Sequence, residues 1–304
     1  MQRITRDQLT PVFDRRLPPV AYVQPGEEFI VETEDSRGGR TRVPEHTTPE
    51  YLLAMRKRGY HGNPVTGPIY VHGAEPGDAL AITILEQKCD TLGYMGYWPF
   101  LFHLEDFFQQ PATQLCEIRD GKVIFSDDVE IPVQPVIGTI GVAPPLEAIA
   151  SGSMGRHCGN VDVQEIRAGS RLCLPVFVEG ALLCLGDCHA IQSDGEIGSV
   201  EMRSEIRLSC DIVRPRSPNQ IWPRLETAED MVTIGIGTPL EEAARQALRE
   251  MLYWIEELTG MTKHEAYLLL GCVGHWRPGQ VQVPNYSMRC LFPKDYLRQR
   301  RPSA

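Results

Sequence analysis

Long runs of Val, Ile, Leu, Tyr and Phe, cut at short intervals by Gly, Pro and Asp, constrain this chain more than anything else in it. EFIVETED (28–35), TGPIYVHGAEPGDALAITILEQ (66–87), KVIFSDDVEIPVQPVIGTIGVA (122–143), SRLCLPVFVEGALLCLGDCHAI (170–191) and EIRLSCDIV (205–213) all have this character. β-branched and aromatic residues suit a pleated, half-buried surface, and the punctuating residues end strands. EPGD at 75–78, RDGK at 119–122 and VEGA at 178–181 supply turns. Near the C-terminus the period changes. TPLEEAARQALREMLYWIEELTG puts Leu240, Ala243, Ala244, Ala247, Leu248, Met251, Leu252, Ile255 and Leu258 on one helical face. Thr238, Pro239 and Glu241 predict a capping box with Pro in the first turn, and Gly260 predicts the stop. A second helix is predicted from Thr262, with Glu265 three residues on. The expected fold is mainly β, sandwich- or barrel-like and α+β overall, with a C-terminal helical hairpin covering one sheet face. Residues 1–220 form the β-rich core that contains the site. Residues 221–304 form the hairpin and a closing strand, packed on that core as one unit.

Charge and composition exclude several function classes. The net charge is −10 and no basic stripe interrupts it, so a nucleic-acid partner is not expected. Arg298, Arg300 and Arg301 form only a short terminal group, read as a solvated end. The opening MQRITRDQLTPVFDRRLPPV lacks the apolar run of a signal peptide, and no unbroken run of about 18 apolar residues predicts a membrane span. Nine cysteines, scattered through apolar strands, fit small core hydrophobes in a reducing cytoplasm.

One stretch does not read as plain structure. GDCHAIQSDGEIGSVE (186–201) carries Asp187, His189, Gln192, Asp194, Glu196 and Glu201, with Gly186, Gly195 and Gly198 between them and no basic residue except His189. Solvated acids usually alternate with Lys and Arg, and acids without such partners need a proton or a cation nearby. Strand alternation points Asp187 and His189 the same way, and Asp194 and Glu196 likewise. An Asp and a His two apart on a strand can take neighbouring positions around a cation. Upstream, GRHCGNVD (155–162) offers His157, Asn160 and Asp162. A cysteine-based zinc site is disfavoured: Cys184 and Cys188 face away from His189, and no second pair completes it.

His46, His72, His103 and His264 have no acids at ligand spacing and are read as structural or exposed. No GxSxG elbow, phosphate loop or GxGxxG strand–helix junction occurs. The segment LGYMGYWPFLFHLEDFFQQ (92–110) holds seven aromatics. It is either an excursion packed on the sheet or the wall of a pocket.

GDCHAIQSDGE resembles the GDxHAxQGDGE motif of the acetamidase/formamidase family. HGNPVTGPIYVHGAEPGDAL (61–80), IGTIGVAPP (137–145), GRHCGNVD (155–162), LPVFVEGALLCLGD (174–187) and AYLLLGCVGHWRPGQVQVP (266–284) follow the family's blocks in order. The resemblance covers most of residues 28–295. It implies hydrolysis of a small carboxamide to the acid and ammonia, a mainly β fold, and a homodimer or higher homo-oligomer. A divalent metal fits both the resemblance and the residues, zinc first and calcium second. Asp187 and His189 are the first expected ligands, with Asn160 and Asp162 next. Glu196 or Glu201 would be the general base, and the sequence does not separate them. Gln192, Asp194, His157 and His275 are expected on the substrate side. Ser193 stands where the family has Gly, the stretch between Glu196 and Glu201 is shorter, and His275 replaces an Asp. These departures point to a substrate larger than acetamide or formamide, and leave a non-catalytic relative that binds an amide-like ligand as the alternative.

Overall fold

A computed structural model describes all residues except 60–61, 102–103, 284 and 298–304. His61, His103 and the terminal arginines therefore lie outside the described residues. The predicted strands assemble into a nineteen-stranded, curled and mostly antiparallel sheet. Its two parallel pairs are Gln2–Ile4 with Glu28–Thr33 and Ala21–Val23 with Val65–Val71. The two longest strands, Ala79–Tyr97 and Ser199–Val213, pair with each other along most of their length. Register shifts at Met202/Ser204 and Arg207/Leu208 mark bulges. Bulges add twist and bend the ribbon, which lets so long a pair wrap around a core instead of lying flat.

The Leu183–Gln192 strand runs through the middle of this sheet. It pairs with Val136–Gly141, Val65–Val71 and Ser199–Val213, and nearly all of it is buried. Its apolar residues enter one large core with Ile69, Leu80, Ile82, Ile137, Ile140 and Leu208. A buried central strand explains why 170–191 reads as apolar throughout. The run is in fact two strands, Arg171–Pro175 and Leu183–Gln192, broken by a turn at 178–182. The RDGK turn also forms: Asp120 and Gly121 both take positive φ, 50° and 72°, and join two strands in a two-residue hairpin.

Three helices are described: α1 (Pro49–Lys57), α2 (Leu240–Thr259) and α3 (Lys263–Val273). The last two form the expected hairpin. Gly260 ends α2 in the left-handed conformation, and Thr262 with Glu265 forms a reciprocal capping box on α3. The start of α2 differs from expectation. Pro239 is the residue before the first helical turn, and no side chain caps the exposed amides there. The inner face of α2 also differs. Leu258 is exposed, whereas Trp254 and the acidic Glu250 are buried. Glu250 can enter because Arg224, from a distant strand, meets it at 2.6 Å. An ion partner far away in sequence thus overrides the helical pattern.

α2 lies directly on the strands Asp230–Gly237 and Tyr286–Pro293. Met231, Met251, Trp254, Ile255, Leu270 and Phe292 fill the space between. The approach is close because residue 235 is Gly. A methyl group there would sit 2.1 Å from the Ala243 carbonyl oxygen and 2.4 Å from the Ala247 nitrogen. Both are helix backbone and cannot rotate away, so Gly235→Ala should cost about 2 kcal/mol or more. Gly271→Ala in α3 is the control, since nothing stands within 4 Å of its added carbon. It should be neutral or stabilising by up to about 1 kcal/mol. Denaturant midpoints of the two variants against the parent check the contrast.

Candidate active site

Every acid of the cluster reaches the site from a different local geometry. Asp187 sits within the central strand with φ of 53°, a local kink that leaves its carboxylate on the same side as His189. Their Oδ1 and Nε2 atoms are 3.6 Å apart. Glu201 pairs with His189 across the neighbouring strand and brings Oε1 to 3.2 Å from the same nitrogen. Asn160 ends the short strand Cys158–Asn160, and Asp162 follows it with φ of 49°. Their side chains bond, Asn160 Nδ2 donating to Asp162 Oδ2 at 2.9 Å. Ligand atoms of Asp162, Asp187 and His189 fall within 4.8 Å of one another, and so do those of His189, Glu196 and Glu201. The absence of a side chain at Gly138 makes the room: an added carbon would stand 2.5 Å from Asp162 Oδ1 and 3.0 Å from the His189 ring.

The hydrogen bonds hold this cluster while leaving one side of it bare. Gln192 donates from Nε2 to the Asp162 carbonyl at 2.6 Å, so its Oε1 faces His189 Nδ1 at 2.7 Å. That contact puts a proton on Nδ1 and turns Nε2 toward the acids. Asn63 donates to both Asn160 Oδ1 and Asp187 Oδ2 at 2.7 Å, and Thr139 donates to the same pair at 2.6 and 3.1 Å. Ser199 donates to Glu201 Oε1 at 2.8 Å. What remains is a set of buried atoms without hydrogen-bond partners: Asp162 Oδ1, Asp187 Oδ1, His189 Nε2 and Glu201 Oε2. Buried polar atoms are paired almost everywhere in proteins. Four orphans, from a His and three carboxylates, fit a divalent cation.

The local field is strong. Burial, then the charge of Glu201, pushes Asp187 up to about 6. Burial, with the charges of Asp187 and Glu201 behind it, pushes Glu196 up to about 8 against the opposing pull of His189. Burial and the nearby Glu196 raise Asp162 well above the usual carboxylate range. Burial acts on Glu201 in the same direction, but the charge of His189, 3.2 Å away, and the Ser199 hydrogen bond outweigh it and bring Glu201 down to about 2. Burial opposes charge on His189, yet Glu201 and Asp187 together raise it well above its ordinary value.

Three predicted residues stand apart from the cluster. Asp194 and Glu196 do not share a face, because 193–198 is a turn and Glu196 has φ of 48°. Asp194 turns away to the fully buried Arg289, which also meets Glu165 at 3.0 Å. His275 is exposed on the strand His275–Pro278, opposite Leu291. His157 is buried edge-on against Phe13, with ring centroids 5.0 Å apart, outside the cavity lining.

A cavity of about 300 Å3 opens over the cluster. Asp187, Glu196, Glu201 and Asn160 line it together with Tyr94, Trp98, Phe100 and Leu101. The aromatic segment therefore lines a pocket. Asn63, Thr139, Ser36, Arg37, Ser199 and Gln282 also line the cavity or bond the cluster, and only Asn63 carries a sequence signal, since it lies in the HGNP block that follows the family.

A family model described as the acetamidase/formamidase family matches residues 3–154 and 146–299. The chain belongs to that family. It is 27% identical to an acetamidase of Mycolicibacterium smegmatis, over 88% of this chain and 86% of that protein. It is 25% identical to a formamidase of Methylophilus methylotrophus, over 65% of this chain and 62% of that protein. The crystal structure of an acetamidase from Bacillus halodurans superposes with a TM-score of 0.90 at 33% identity, covering 98% of this chain and 99% of the other. These relatives put the protein among the amide hydrolases.

His157 gives a test of the buried scaffold behind the site. Burial pushes its imidazole down to about 4. An unfolded histidine titrates near 6.5, so between about 6.5 and 4 the unfolded chain binds more protons and stability falls with falling pH. The full loss from this group is about 3 kcal/mol. Denaturant unfolding at pH 7 and pH 4.5 should show a smaller acid loss for His157→Leu than for the parent. Equal losses would mean that the imidazole is not held neutral.

Proposed function

We propose that the protein hydrolyses a small carboxamide to the carboxylic acid and ammonia at the Asp187–His189–Glu196–Glu201 cluster. The observation that carries this reading is the set of four buried, unpartnered polar atoms beneath a cavity, in a chain whose family cleaves amides. The balance is simple: the amide C–N bond breaks, water supplies the new C–O bond, and one proton must move from the water to the departing nitrogen.

Glu196 is the proton carrier in this reading. It lies on a turn lining the cavity, half-buried, with a carboxyl raised by burial to about 8. The fraction of such a carboxyl that is ionised near neutrality can accept a proton from water and return it to the amine. Its backbone carbonyl accepts a hydrogen bond from Gln282, which steadies the turn. Glu201 has the opposite character, remaining anionic between Ser199 and His189. We assign it to holding the cluster's charge. Asp162, Asp187 and His189 would hold a divalent cation, with Asn160 orienting Asp162. A bound cation would polarise the amide carbonyl and make nearby water more acidic. An imidazole among carboxylates suits zinc better than calcium, which prefers oxygen alone. Nothing in the geometry favours a pocket that only binds.

The cavity exceeds what a two-carbon amide fills, and its size reaches the lower end of ordinary ligand pockets. A substrate larger than acetamide follows from this. Nine free cysteines favour a reducing, cytoplasmic setting. Leu258, Tyr267 and Leu268, exposed on the helical hairpin, favour self-association.

Ammonia release and elemental analysis together test the assignment. Glu196→Gln should lower kcat by roughly 10²–10⁴-fold and keep its metal. Asp187→Ala/His189→Ala should lose metal and activity together. Full activity in Glu196→Gln with loss in Glu201→Gln would transfer the proton role to Glu201. Ammonia release from metal-free protein would remove the cation from the reaction.

A further inference from the structure

The walls of the cavity carry two arginines that the hydrolysis reading does not use. Arg37 is buried, with its guanidinium stacked 4.3 Å over Tyr94 and its Nη1 donating to the hydroxyls of Thr113 and Thr41 at 2.9 and 3.3 Å. Arg56, at the end of α1, is exposed at the rim, 4.1 Å over Phe100 and 5.5 Å over Trp98. Both line the cavity. Among the described residues, neither guanidinium has a carboxylate within ion-pair distance. This is notable in a chain of net charge −10, whose other deeply buried cations, Arg224 and Arg289, each meet two acids. A desolvated guanidinium without a counter-ion is costly, and its fork matches a carboxylate in two-point contact.

We propose, building on the amide hydrolase reading, that the substrate carries a carboxylate at the end remote from its amide and that Arg37 and Arg56 hold it. Charge sets the orientation. The acids of the cluster repel a carboxylate, whereas the two arginines attract one, so the uncharged amide is the end admitted to the cluster. Trp98, Phe100 and Leu101 give the middle of the molecule an apolar wall. The substrate class is therefore the monoamide of a short dicarboxylic acid. Hydrolysis converts it, with water, to the dicarboxylate and ammonium with no further reactant.

The test compares amides matched in chain length. Ammonia release is measured from succinamate, glutaramate and adipamate, and from butanamide, pentanamide and hexanamide. Each acid should exceed its neutral partner in kcat/KM by about tenfold or more, through a lower KM, since a charge-assisted hydrogen bond is worth about that factor. The preference should shrink as salt rises. Arg56→Gln and Arg37→Gln should each lower the acid-to-neutral ratio by about tenfold. Neutral amides cleaved as well as the acids, or a ratio unmoved in both variants, would overturn the anionic substrate and leave the amidase standing. If no amide yields ammonia, the amidase reading fails, and glutarate decides the anion site separately. A rise in Tm with glutarate that disappears in Arg56→Gln supports it, and no rise overturns it.

Discussion

The repulsion among the buried acids around His189 is the interaction that the rest of this molecule must accommodate. Asp162, Asp187 and Glu201 are buried, Glu196 is half-buried, and their charges act on one another. Among the described residues, His189 is the cationic group in contact with them. Such a group can exist only if the surrounding fold prevents the carboxylates from turning out to water. Gln192, Asn63, Asn160, Thr139 and Ser199 do this, each bonding one part of the cluster and none reaching its four unpartnered atoms. The same field that keeps a proton on His189 and on Glu196 would hold a cation in their midst. The electrostatics that destabilise the fold and those that equip the site are the same.

The C-terminal segment completes this restraint from the other side. Gly195 bridges to Gln280, Val281 N donates to the Gly195 carbonyl at 3.1 Å, and Gln282 bonds the Glu196 carbonyl. Ser287 donates to the Val161 carbonyl at 2.6 Å, between Asn160 and Asp162. Arg289 fixes Asp194 and Glu165. The segment in turn belongs to the strand pair against which α2 packs. The helical hairpin thus has a consequence for the site: α2 sets the position of strands whose neighbouring loop holds the turn bearing Glu196. Residues 276–280 (WRPGQ), which follow the departure at His275, lead into this clamp and act on the site through backbone contacts.

Much of this was legible in the sequence, for identifiable reasons. Alternation and turn residues report local geometry, so the strands, the Asp120–Gly121 hairpin and the Thr262 capping box could be read directly. The density of acids without bases exposed the cluster. What could not be read was set by distant partners. Asp194 looked like a site residue because its counter-ion, Arg289, lies 95 residues away. Leu258 was assigned to the buried face of α2 and Glu250 was not, because Arg224 was invisible to a helical period. Asn63 and Thr139 are ordinary polar residues until the sheet brings them against Asp187.

Backbone conformation explains why alternation succeeded for Asp187 and His189 but failed for Asp194 and Glu196. Eight non-glycine residues among those described have positive φ, and four of them are Asn63, Asp162, Asp187 and Glu196. The left-handed region costs an ordinary L-residue roughly 1–2 kcal/mol, somewhat less for Asn and Asp. A chain that concentrates this strain on the four side chains aimed at one point is using it to aim them. In the central strand, flanking pairs to Val136–Gly141 and Ser199–Val213 absorb the kink at Asp187, so the strand direction persists beyond it. At Glu196 no ladder holds the chain, and the same conformation becomes a turn that sends Asp194 one way and Glu196 the other. Asp and Asn tolerate this region because their short side chains bond locally. Glu does not share that advantage, so the placement of Glu196 depends on the clamp from Gln280 and Gln282. Its carboxyl is aimed by residues more than 80 positions away.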